Sequence, residues 1–138
     1  MKRTPATRTI PLLTLLIAVS LLAVPALAGD STPSMIPHFF YGQVYDVDGK
    51  DAPAGSIVVA SVAGSPAGTI TVAPAGRYGT DYGDGDKLLV WTPAMRPGDT
   101  IAFYLDGVRA TETAIYESGG LTNLTLTASA PLPKERPK

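Results

Sequence analysis

The chain contains no cysteine and a single histidine, His38. The first absence excludes a disulfide-stapled scaffold, a thiolate zinc site, a cysteine nucleophile and a lipid-modified cysteine. The second removes most multi-histidine metal and acid–base sites. Helical patterning is also missing: after residue 28 no three-turn stretch repeats apolar residues at i, i+3 and i+4. What is plentiful is glycine and proline, 14 and 13 of 138 residues, a load too high for a helix bundle. Hydrophobic residues make up 45%, which is too many for intrinsic disorder. These bounds leave one loop-rich, turn-rich β domain.

The ends read differently from the body. Residues 1–11 carry Lys2, Arg3 and Arg8 and no acid, residues 12–24 are an apolar run, and Pro25-Ala26-Leu27-Ala28 follows. A basic segment, a short apolar run, a helix breaker and a small-x-small site predict a secretory signal peptide over residues 1–28, cut between Ala28 and Gly29. An uncleaved anchor is the competing reading, weakened by Pro11, Thr14, Ser20 and Pro25 within a stretch shorter than a bilayer span. No later run is long and apolar enough to span a membrane, so the expected location is secreted or cell-surface. After the cut, eight basic and twelve acidic residues give net −4, and residues 29–130 alone are at −6. A body of that sign does not gather nucleic-acid phosphates. Residues 29–36 are expected to be a linker and residues 129–138, PLPKERPK at their end, a disordered basic proline-rich tail.

Between the two, apolar residues alternate. His38 to Tyr45 places Phe40, Gly42 and Val44 on one face and Phe39, Tyr41, Gln43 and Tyr45 on the other. Further strands are predicted near 56–63, 69–73, 76–79, 87–92, 100–105, 108–117 and 121–128, with turns at 46–51, 64–68, 93–98 and 118–120. Asp106-Gly107 is the dipeptide of a two-residue type I′ hairpin. About seven to eight short strands at this spacing predict an all-β fold, an antiparallel immunoglobulin-like β-sandwich over residues 37–128.

Gly42-x-Val44-x-Asp46-x-x-Gly49-x-x-Pro53-Ala54-Gly55-x-x-Val58, followed by Gly76-Arg77-Tyr78, resembles the opening of the carboxypeptidase regulatory-like, or transthyretin-like, β-sandwich family. The wider pattern is similar to modules of archaeal and bacterial surface proteins and covers about residues 37–128. The resemblance implies a sandwich whose matched residues are mostly turn and core positions; it speaks to fold more than to function.

Three features point toward chemistry. Asp46, Asp48 and Asp51 surround Gly49 as a hard-cation loop would, with Asp81, Asp84 and Asp86 able to add oxygens from a second acidic loop. With Asp46 first, the position where an EF-hand needs its glutamate is Ile57, so that motif fails and calcium remains as a non-EF candidate beside the plainer reading of polar turns. Tyr41, Tyr45 and Tyr104, with Trp91 beside them, are candidate outward rings for stacking on a sugar or anchoring a protein, against the alternative of cross-strand packing. Asn123-Leu124-Thr125 is an N-x-T sequon with Asn123 on the solvent face, a candidate glycosylation site.

Catalysis finds little support. No Gly-x-Ser-x-Gly elbow is present, His38 falls on the Phe40 face, and Glu112 and Glu117 lie in or beside one strand. The expectation is a non-catalytic module with a structural or adhesive role at the cell envelope, its partner an envelope protein or glycan. The alternative is a carbohydrate- or ligand-binding module using the aromatics or acidic loops. No cofactor is expected apart from that possible calcium.

Overall fold

The computed structural model describes Gly29 and residues 34–134. The expected signal segment up to Ala28, part of the expected linker and the last four residues of the expected tail lie outside the described residues.

The strands are β1 (His38–Tyr45), β2 (Ile57–Val62), β3 (Ser65–Thr71), β4 (Arg77–Tyr78), β5 (Leu88–Val90), β6 (Thr100–Leu105), β7 (Val108–Ile115), β8 (Leu121–Asn123) and β9 (Leu126–Thr127). They form two sheets, one built around β1 and one in the order β3-β2-β6-β7. The fold is the expected all-β sandwich. Its first sheet is mixed: β4 and β5 pair with β1 antiparallel, whereas β8 and β9 pair with it in parallel. β8 and β9 keep one register against β1, Phe39 opposite Leu121 and Val44 opposite Leu126. They are two halves of one strand position interrupted at 124–125. β4 and β5 share the other edge of β1 and are separated by the 79–87 loop.

The core follows from alternation. Phe40 and Val44 of β1, Val58, Ala60 and Val62 of β2, and Ile101, Phe103 and Leu105 of β6 are all buried. Phe40 and Phe103 meet edge to face across the two sheets, with centroids 5.2 Å apart, the arrangement favoured by the ring quadrupole. The sheets also approach at both margins. At one, Ala67 is the extra residue of a bulge in β3, and its carbonyl accepts a 3.0 Å bond from the Trp91 N–H beyond β5. At the other, Ala110 bridges Ala128 and the Ser129 N–H donates to the Arg109 carbonyl. These contacts cover backbone that free edge strands would expose.

Several boundaries move. The β2–β3 turn is Ala63-Gly64, both at positive φ, rather than 64–68, so β3 starts at Ser65 and includes Pro66. The proline is tolerated because β3 is an edge strand. Asp106 and Gly107 both have positive φ (45° and 82°), as the type I′ prediction requires. Order also extends past both expected limits. The Ile36 N–H donates to Ser118 Oγ, and its carbonyl accepts from the Tyr116 hydroxyl at 2.7 Å. Met35 and Leu132 pack against the core. The linker and tail expected outside 37–128 are therefore partly folded where they are described, because each contributes one apolar side chain to the sandwich.

Candidate functional site

The interruptions on the two edges of β1 fall side by side. At Gly42 and Gln43, β1 faces β4 on one edge and the 124–125 gap between β8 and β9 on the other. Tyr78 lies in register with Gly42, and its hydroxyl spans β1 to donate to the Leu124 carbonyl at 2.6 Å. A Cβ at Gly42 would stand 2.4 Å from that same carbonyl oxygen, and φ there is +153°, so glycine is required for the close approach. Burial, and secondarily the Glu112 carboxylate, push the Tyr78 phenol above its ordinary range.

Over this junction lies a concavity of about 320 Å³ lined by Tyr41, Gln43, Arg77, Asp81, Asn123 and Thr125, with Gly79 and Thr80 beside them. Tyr41 is half-buried on the outer face, and Gln43, Arg77, Asp81, Asn123 and Thr125 are exposed. The Tyr45 hydroxyl donates to Gln43 Oε1 at 2.5 Å, which leaves the amide N–H groups as the donors of this side chain. Gly79 permits the loop to pass Tyr41: a Cβ there would come within 3.1 Å of the Tyr41 Cβ. The loop itself is gathered by Lys87, whose ammonium donates to the carbonyls of Tyr82, Gly83 and Gly85 at 2.8, 3.2 and 3.2 Å.

Part of this site is legible in the sequence. Tyr41, Tyr45 and Asn123 do share the outer face of the first sheet, by alternation along β1 and β8. Tyr104 does not join them: it stands on β6 between Val59 and Arg109, in the other sheet. Asn123 is exposed as predicted, but it and Thr125 line the groove instead of standing apart. Gln43 sits two residues from each of Tyr41 and Tyr45, a spacing that already marked it as their neighbour. Arg77, Thr80 and Asp81 carried no comparable signal, because only the β4–β1 pairing brings them there.

Asp46 serves its own turn. Asp46 Oδ1 accepts the N–H groups of Asp48 and Lys50, each at 2.9 Å, the short-range capping typical of Asp in a turn. Asp51 is held by the Tyr45 bridge and lies over Gly76, where a Cβ would come within 2.5 Å of its carboxylate. Among the described residues no group of three or more His, Cys, Asp or Glu could hold a metal ion. Asp46, Asp48 and Asp51 border a separate hollow with Asp106, whereas Asp81 lines the first groove. In the second loop three carbonyls are already taken by the Lys87 ammonium.

His38 and Glu112 make structural contacts. His38 is 2% exposed and stacks on Phe40 at 4.1 Å. Its Nδ1 accepts the Glu117 N–H at 3.1 Å, so the ring proton resides on Nε2, which faces Thr122 Oγ1 at 2.8 Å. Burial lowers its pKa, and the Glu117 carboxylate opposes that shift. Glu112 Oε2 accepts the Thr127 N–H at 2.7 Å and ties β7 to β9.

Comparison of the chain with family models, curated proteins and solved structures returns no match. Its own geometry therefore carries the functional reading. No helix among the described residues is long and apolar enough to cross a membrane.

Proposed function

We propose that the chain is a non-catalytic module exported to the cell envelope, and that it holds a carbohydrate in the groove over β1. One observation carries this reading: a half-buried tyrosine ring and five exposed polar side chains line a single concavity of about 320 Å³. Primary amides at Gln43 and Asn123, a guanidinium at Arg77 and a carboxylate at Asp81 supply both donors and acceptors, as an array of sugar hydroxyls demands. Tyr41 adds a surface for the C–H face of a ring. The structural use of His38 and Glu112 supports binding without turnover, and the residue 1–28 pattern supports export. The resemblance to transthyretin-like surface modules agrees with both. Asn123 remains a proposed glycan acceptor, and a glycan there would compete with a ligand in the groove.

A glycan-binding panel tests the proposal. Folded wild-type chain should retain one or more carbohydrates, and the double change Gln43→Ala with Arg77→Ala should abolish retention while the melting temperature stays within about 2 °C, as exposed substitutions allow. A clean negative from folded wild-type protein overturns carbohydrate binding and favours the structural or adhesive role.

A further inference from the structure

The outer face of the first sheet is apolar beside the groove. Phe39 on β1 lies directly opposite Leu89 of β5 on one edge and directly opposite Leu121 of β8 on the other. The three side chains form a row across the sheet. Leu89 is 46% exposed and Leu121 56%, with Phe39 half-buried between them. Trp91, 40% exposed, follows Leu89 by two residues. None of these side chains belongs to the core, which is filled from the opposite faces of the same strands by Phe40, Leu88 and Val90. The row thus adds nothing to the interior of the sandwich.

Its place and size restrict what covers it. Tyr41 follows Phe39 by two residues on the same face, and Asn123 follows Leu121 likewise, so the row and the groove adjoin through two side chains that line the groove. The row contains no charged group, and the ammonium of Lys87, two residues before Leu89, is occupied by three loop carbonyls. The exposed apolar area of Leu89, Trp91 and Leu121 is on the order of 300 Å², the size of a functional surface patch. A standard protein interface needs ~800 Å² per partner, which argues against a second copy of the chain as the occupant.

We infer that groove and row are two subsites of one face, and that the ligand is a neutral oligosaccharide of hexoses with mainly equatorial hydroxyls. This rests on the carbohydrate reading of the groove and adds the ligand's class and length. Equatorial hydroxyls leave the two faces of a pyranose as C–H surface, which suits an uncharged apolar row. The hydroxyl rim of the next ring then meets Gln43, Arg77 and Asn123. One ring cannot use both subsites: successive outward residues of a strand are about 6.8 Å apart, and the distance from Phe39 to Gln43 is twice that step.

The test is calorimetric titration of the full chain with glucose, cellotetraose and a galacturonic acid tetramer, repeated on Leu89→Ser with Leu121→Ser. Cellotetraose should bind about tenfold or more tighter than glucose and than the acidic tetramer. The double variant should lose that advantage. Equal affinity for glucose and cellotetraose, preference for the acidic tetramer, or an undiminished advantage in the variant overturns the two-subsite inference and leaves the groove reading standing. No binding of any of the three by the folded chain, with another sugar retained on the panel, overturns the ligand class alone. A panel that is negative throughout removes the groove reading as well. Sedimentation that finds a wild-type dimer dissociated by the double variant assigns the row to a second copy and overturns the inference.

Discussion

Tyr78→Phe isolates the bond on which the two-sided interruption of the first sheet depends. The phenol is fully buried and its hydroxyl donates to the Leu124 carbonyl at 2.6 Å. Phenylalanine keeps the ring and its packing, so no cavity opens, but the carbonyl loses this partner in a part-buried setting. Loss of a neutral hydrogen bond with its acceptor left behind costs about 1–2 kcal/mol. In a domain of about 100 residues each kcal/mol moves the melting temperature by about 4–8 °C. The variant should therefore melt some 5–15 °C lower in calorimetry at neutral pH, by the same scaling. A second signature distinguishes the hydroxyl from general damage. Burial raises the Tyr78 pKa above its ordinary value of 10.0, with Glu112 adding to the shift. The native phenol then keeps a proton that the unfolded phenol releases, so stability falls as pH rises above about 10. Tyr78→Phe should lack this share of the alkaline decline. A variant that melts within about 1 °C of wild type, where loss of about 1 kcal/mol would move it further, or that declines identically above about pH 10, would show that the Tyr78 hydroxyl does not carry this stability.

Five further outcomes are expected. The His38 pKa is lowered, chiefly by burial; its stabilising share is full above about 6.5 and is lost as pH falls from there toward the folded value. Urea midpoints across that window should therefore fall more steeply for wild type than for His38→Gln, and parallel profiles would contradict this. Gly42→Ala places a Cβ 2.4 Å from the Leu124 oxygen at φ +153° and should cost about 2 kcal/mol or more in urea unfolding. Asp46→Ala removes the acceptor of two N–H groups and should cost about 1 kcal/mol. Wild type should melt at one temperature with calcium and with chelator, since Asp46 already serves the turn. Lys87→Met releases three carbonyls and should speed hydrogen exchange at Thr80 and Gly85; unchanged protection there would show that the ammonium does not hold the loop.

Much of the sandwich was legible because its signals are local. β1 follows strict alternation between an inward Phe40 and Val44 and an outward Tyr41 and Gln43, and its bounds, His38–Tyr45, match those read from the sequence. Asp106-Gly107 announced its hairpin because two successive positive φ values select that dipeptide. Ala63-Gly64 makes a similar turn without the same signal, since alanine at φ 50° is tolerated there by the hairpin and not preferred. Parallel pairing of β8 and β9 with β1 was not legible either: alternation says which face a residue takes, not which strand lies beside it.

The same limit explains the site. A groove at Gln43 requires that the β4–β5 break and the β8–β9 break align across one strand, a coincidence between segments that begin at residues 77 and 121. No local pattern in either segment encodes it. Two glycines make it possible, Gly42 for the approach of Leu124 and Gly79 for the loop beside Tyr41, and Tyr78 ties the two breaks together through one hydroxyl. If this hydroxyl sets the width of the groove, Tyr78→Phe should weaken carbohydrate retention at temperatures well below its melting point. Tyr104→Ala, in the other sheet, should leave retention unchanged. Equal effects from both substitutions would mean that stability, and not the aligned interruption, governs binding.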